Sequence, residues 1–102
     1  GTFFKINRAL TSLPGISKSR HLYGSVEWRY RGKAIGHIHG NKVVDIAFPH
    51  EVRRRLLEEG RTVPNRHSPA GISFYIQAQK DIPFAIELLM LSYQITKSKH
   101  SV

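Results

Sequence analysis

The sequence predicts an α+β fold in two layers, an antiparallel four-stranded, meander-containing sheet with helices on one face, in the order α-β-β-β-α-β-α. Three observations lead there. Apolar residues recur every three or four positions near both ends of the chain and after Pro49. They alternate with polar residues between Val26 and Phe48 and again from Ile72 to Ile76. Turn residues such as Arg31-Gly32-Lys33 and Gly40-Asn41 separate the alternating runs. At 102 residues the chain has the size of one domain with one core, so residues 1–102 are read as a single unit.

Phe3, Phe4, Ile6, Leu10 and Leu13 form the apolar side of a first helix, which Pro14-Gly15 stops. A polar stretch without a strand pattern follows. Val26, Trp28 and Tyr30 then alternate with Glu27, Arg29 and Arg31 as the first strand, and Ala34 to His39 and Val43 to Phe48 complete the meander. Pro49 suits a helix's first turn, with Val52, Leu56 and Leu57 on one side and Gly60 as the cap. Arg61 to Gly71, with two prolines, reads as a loop, and Ile72, Phe74 and Ile76 mark the fourth strand. Asp81 is placed to cap the last helix, whose faces carry Ala85, Ile86, Leu89, Ser92 and Tyr93 on one side and Leu88, Leu91 and Ile95 on another. The second face implies burial between two elements or a homodimer contact, and the tail from Lys97 is expected to fray.

Composition narrows the function classes. No apolar run reaches the roughly 18–20 residues needed to cross a bilayer, so no membrane partner is expected. Without cysteine there are no disulfides, thiolate metal sites or cysteine nucleophiles, and with no leader-like start the expected location is cytoplasmic. Sixteen Lys and Arg against seven Asp and Glu give a charge of +9, which attracts phosphate-rich polymers and other anions.

The register of the hairpin decides which polar residues meet, because a slip of one residue turns every side chain to the other face. A two-residue Gly40-Asn41 loop would put His37 opposite Val44, on the buried side. A three-residue loop, Gly40 to Lys42, puts His37 opposite Asp45 and leaves Ile38, Val44, Ile46 and Phe48 on the apolar face. The same logic applied to Arg31–Lys33 sets Trp28 against Gly36 and Glu27 beside the histidines. One face should then carry Glu27, Arg29, His37, His39 and Asp45, with Ser73 and Tyr75 nearby.

That face admits three chemistries. Two His at i and i+2 on a strand lie about 6.5–7 Å apart along the chain, and with Asp45 they are the residues that would hold a divalent metal. An isolated HxH does not specify one, so neither metal nor cofactor is expected. A carboxylate against an imidazole orients the ring, which suits His37 as a general base with Asp45 as its orienter, or as a ligand anchor. The third possibility is the ordinary wet side of an antiparallel sheet.

Gly24-Ser25-Val26-Glu27, Gly36-His37-Ile38-His39-Gly40, Asp45-Ile46-Ala47-Phe48-Pro49, Val52-Arg53, Gly60-Arg61, Ser73-Phe74 and Leu91-Ser92-Tyr93 resemble, in order and spacing, the small bacterial and fungal "luciferase domain" proteins. The resemblance spans Leu13 to Tyr93 and implies a domain of unknown biochemical function rather than light emission. It points to Gly36, His37, His39, Gly40 and Asp45. The chain departs from the pattern at Pro64-Asn65-Arg66-His67, where relatives tend to carry paired His after the proline, and at Ile72, where Trp is common. The order of elements is also similar to YjbR/MmcQ-like domains, whose architecture has been linked to DNA binding.

Three functions follow in order of preference. The first is a binding module using Glu27, Arg29, His37, His39, Asp45 and Ser73 for a small or anionic ligand. The second is a nucleic-acid binder through Arg31, Lys33, Arg53, Arg54 and Arg66. The third is a His/Asp hydrolase or isomerase.

Overall fold

The alternation of apolar and polar residues through the middle of the chain folds as an antiparallel meander, onto which the amphipathic segments pack as helices. The computed structural model describes residues 1–20 and 24–100. Among them the order is α1 (Thr2–Thr11), β1 (Ile16–Arg20), β2 (Ser25–Tyr30), β3 (Lys33–His39), β4 (Val43–Ala47), α2 (His50–Glu58), β5 (Val63–Pro64), β6 (Gly71–Tyr75), a 3-10 turn (Gln79–Asp81) and α3 (Ile82–His100). The strands form one sheet, β1-β2-β3-β4-β6-β5, antiparallel throughout. The α+β class holds, with two strands more than the sequence pattern gave.

Both extra strands lack an apolar alternation. Ile16-Ser17-Lys18-Ser19-Arg20 holds its place by backbone pairing with β2 and forms one edge of the sheet. Its charged residues are of the kind that discourages another chain from adding to that edge. The two-residue strand Val63–Pro64 lies within the expected loop and pairs with Ser73 and Ile72 at the other edge.

The first hairpin reaches the expected pairing of Trp28 with Gly36 by a different route. Arg31 and Gly32, with φ of 48° and 85°, make a tight two-residue turn that pairs Tyr30 with Lys33. The register then shifts between Trp28 and Arg29, so the extra residue Ile35 forms a bulge. Ser92 of α3 donates to the Ile35 carbonyl at 2.6 Å, tying the bulge to the helix layer.

Leu89 of α3, rather than the Trp28 ring, fills the space above Gly36. A mid-strand glycine costs roughly 0.5–1 kcal/mol, whereas burying a leucine side chain contributes about 1.5–3 kcal/mol, so the close helix approach wins. Trp28 is fully buried, stacks on Phe3 at 6.0 Å and donates through Nε1 to Asn7 Oδ1 of α1 at 3.1 Å. Phe4, expected on the same apolar side, is exposed. Tyr93 lies edge-on to Tyr30 and donates its hydroxyl to the Pro14 carbonyl at 2.8 Å, fixing α3 across the sheet end.

Two local expectations change. Asp81 Oδ2 accepts from the backbone N–H groups of Gln77 and Ala78, so it caps the short turn before α3 rather than α3 itself. The helix continues through Lys97 to His100, whose ring meets Tyr30 at 5.6 Å; residues 101–102 lie outside the described part. On the second face of α3, Leu88 is buried and Ile95 packs against the core, while Leu91 stays partly exposed.

Gly36→Ala tests the close approach. Its Cβ would lie 2.6 Å from Leu89 Cδ2, 3.0 Å from Ile46 Cγ1 and 3.3 Å from the Asp45 carbonyl oxygen. Overpacking of this kind costs about 1–3 kcal/mol, so the urea midpoint should fall; an unchanged midpoint would show that α3 yields freely.

Candidate functional site

The pleat turns Glu27, His37, Asp45 and Ser73 away from the helix layer, and the register places them in one row across β2, β3, β4 and β6. His39 stands two residues along β3 on the same face. The three-residue Gly40–Lys42 loop is present, with His39 paired to Val43 and His37 to Asp45.

Side-chain contacts do not follow the row. Asp45 Oδ2 pairs with His39 Nε2 at 2.9 Å, the diagonal neighbour, while His37 Nδ1 lies 3.8 Å from Glu27 Oε1. Sheet twist brings one diagonal within reach of a long side chain, so the directly opposed residue is not the partner. Asp45 therefore orients His39 and not His37, reversing the assignment the pattern suggested. The two imidazoles meet edge to face at 5.5 Å.

Both carboxylates are largely buried, Glu27 at 14% and Asp45 at 15% side-chain exposure, and such groups are costly unless paired. Glu27 Oε2 accepts from Arg29 Nε. Asp45 Oδ1 accepts from Ser73 Oγ at 2.6 Å, and Ser73 Oγ in turn accepts from Asn65 Nδ2 at 3.1 Å.

Asn65 carries the part of the site that sequence reasoning missed. Its Oδ1 accepts from the backbone N–H of His67 at 2.8 Å and of Ser68 at 3.0 Å, and its own N–H donates to the Gly71 carbonyl at 3.1 Å. An asparagine that bonds two and three residues ahead closes a turn, which here folds residues 65–68 over the polar face. Between loop and sheet lies a cleft of about 290 Å³ walled by His37, His39, Asp45, Asn65, His67 and Ser68. A shallower recess beside it adds Val43, Arg66, Ser73 and Tyr75. The sequence signal was Asn65 directly after Pro64, inside a segment read only as a loop.

The basic candidates divide among separate places. Arg31 lies in the β2–β3 turn and Lys33 directly after it, Arg53 and Arg54 lie on α2, and Arg66 belongs to the recess. Arg53 Nε donates to the Gly71 carbonyl at 3.1 Å. Arg54 bridges Glu51 at 2.9 Å and Glu58 at 2.6 Å. Its guanidinium holds the Glu51 carboxyl below the usual range, and Glu51 and then Glu58 raise its own affinity for its proton.

No helix among the described residues is long and apolar enough to cross a membrane. The family model described as "Luciferase domain" matches residues 32–92, and the chain belongs to that family. The match includes His37, His39, Asp45, Asn65, His67 and Ser73, and Glu27 lies outside it. No curated protein and no solved structure matches the chain.

Asn65→Ala removes the acceptor for two backbone N–H groups and the donor to Ser73. Each such bond is worth about 0.5–1.5 kcal/mol net, so the variant, which loses three, should be destabilised by about 1.5–4.5 kcal/mol, with faster hydrogen exchange at the His67 and Ser68 amides. Unaltered exchange at those amides would mean that the turn is held by something else.

Proposed function

We propose that this luciferase-domain chain is a binding module whose cleft between the 65–68 turn and the polar sheet face takes a small anionic ligand. The observation that carries the reading is the convergence of His37, His39 and His67 on one cleft of about 290 Å³. Ligand sites are commonly concave, with a few placed polar groups. Imidazole N–H groups donate to oxyanions, and the chain's charge of +9 supplies a favourable field. Arg66 in the adjoining recess adds a full positive charge. Asp45 and Glu27 already have partners, which reduces their repulsion of an anion.

The nucleic-acid reading has the net charge in its favour, but Arg53 and Arg54 are engaged within the fold. It stands second. For the enzymatic reading, the groups that would cooperate are His39 with Asp45, at 2.9 Å.

The test is an amide-correlation NMR titration of the wild type with phosphate, sulfate, short carboxylates and mononucleotides. Shifts should concentrate at residues 37–47 and 65–73, with at least about tenfold weaker binding, about 1.4 kcal/mol, in the His37→Ala/His39→Ala double variant. Shifts spread instead over Arg31, Lys33 and α2, steeply weakened by salt, would replace this reading with the nucleic-acid one.

A further inference from the structure

We infer that His37, His39 and Asp45 form a divalent-metal site, of the kind that takes zinc, with coordination positions open to the cleft. The inference rests on the cleft-binding reading and names the element through which the cleft would hold its ligand.

An HxH dipeptide alone carries little weight, and the folded chain adds three observations. First, one ring nitrogen from each histidine and one oxygen of Asp45 all lie within 4.8 Å of one another. Donors around a four-coordinate zinc, at bonds of about 2.0–2.1 Å, sit roughly 3.3–3.4 Å apart, so rotations at the ends of three side chains close the set. His39 Nε2 and Asp45 Oδ2 are already at 2.9 Å, and the histidines, with 40% and 47% of their side chains exposed, have room to turn.

Second, the carboxylate is prepared from behind. Ser73 Oγ holds Asp45 Oδ1 at 2.6 Å and is itself held by Asn65, which leaves Oδ2 facing the histidines. Hydrogen bonds of this type orient ligating carboxylates in metal sites. A plain His39–Asp45 contact needs neither the relay nor a second imidazole converging on it.

Third, the cluster forms a wall of the cleft. Three protein ligands with a free position toward solvent is the arrangement of zinc sites that bind a further molecule; purely structural sites close with four. Two imidazoles and one carboxylate, without thiolate, suit zinc and its neighbours among the transition metals, whereas calcium and magnesium take all-oxygen sets. His67 lines the same cleft.

The experiment uses the whole chain without a histidine tag, stripped with chelator and titrated with Zn²⁺ by calorimetry and with Co²⁺ by visible absorption. One ion per chain is expected, with the intense Co²⁺ bands of a four- or five-coordinate centre. Affinity should drop by about 100-fold in His37→Ala, His39→Ala and Asp45→Asn, by about tenfold in Ser73→Ala, and not at all in His50→Ala. Where a variant is poorly folded, paramagnetic broadening by Co²⁺ in the wild type serves instead and must centre on residues 37–45. Broadening centred elsewhere, no stoichiometric ion, or equal affinity in the His37→Ala/His39→Ala double variant overturns the proposal. If an anion binds at the cleft of the chelator-stripped protein while no stoichiometric zinc binds, the metal inference falls and the cleft reading stands. If neither anions nor metals perturb the cleft, both fall.

Discussion

In the β3–β4 hairpin a three-residue loop, Gly40–Lys42, sets Asp45 opposite His37, and the rest of the polar face depends on that stagger. One residue fewer would turn His37 and His39 into the core and Ile38 out of it. The loop is fastened on two sides: Asn41 Oδ1 accepts from the Phe3 N–H of α1 at 3.0 Å, and the Lys42 carbonyl accepts from the Ile76 N–H at 2.7 Å. On the other flank the Ile35 bulge resets β2 against β3, so that Glu27 meets His37 despite a turn one residue shorter than the pattern implied. Two independent adjustments therefore converge on one row, Glu27-His37-Asp45-Ser73.

That row differs from a merely wet sheet face in how its charges are held. Solvated carboxylates need no protein partner, but Asp45 and Glu27 are mostly covered, and their burial is tolerable only with donors in place. Asp45 has Ser73 on one oxygen and His39 on the other; Glu27 has Arg29 on one oxygen and His37 near the other. Residues on four different strands are thus fixed relative to one another, with the ordered 65–68 turn attached through Asn65. Fixed donors lose less freedom on binding than mobile ones, which favours recognition at this face.

What the sequence revealed follows from where hydrophobic pattern does its work. The meander, its register and the facing of Glu27, His37, His39 and Asp45 were legible because burial of Val26, Ile38, Val44 and Ile46 dictates them. The edge strand β1 was not, since Ser17, Lys18, Ser19 and Arg20 lie outside the core and are held by backbone bonds, which any sequence can make. Nor was the contribution of Asn65: its side chain acts on His67, Ser68 and Ser73, and the last of these contacts exists only after β6 has paired with β4 and β5. The choice of His39 over His37 as the partner of Asp45 depends on twist, which alternation does not encode.

Charge links the two proposals. A field of +9 opposes the approach of a cation, yet screening at physiological salt limits that opposition to about 8 Å, so a metal bound at the cluster is governed by its own ligands. Two neutral imidazoles and one carboxylate do not neutralise a divalent ion. The excess positive charge faces the cleft, on the side where Arg66 and His67 stand, and is best answered by an anion completing the coordination. The same field that slows metal entry thus strengthens anion binding once the metal is seated. Cation and anion should consequently bind with positive coupling, each raising the other's affinity by an equal factor, as linkage requires.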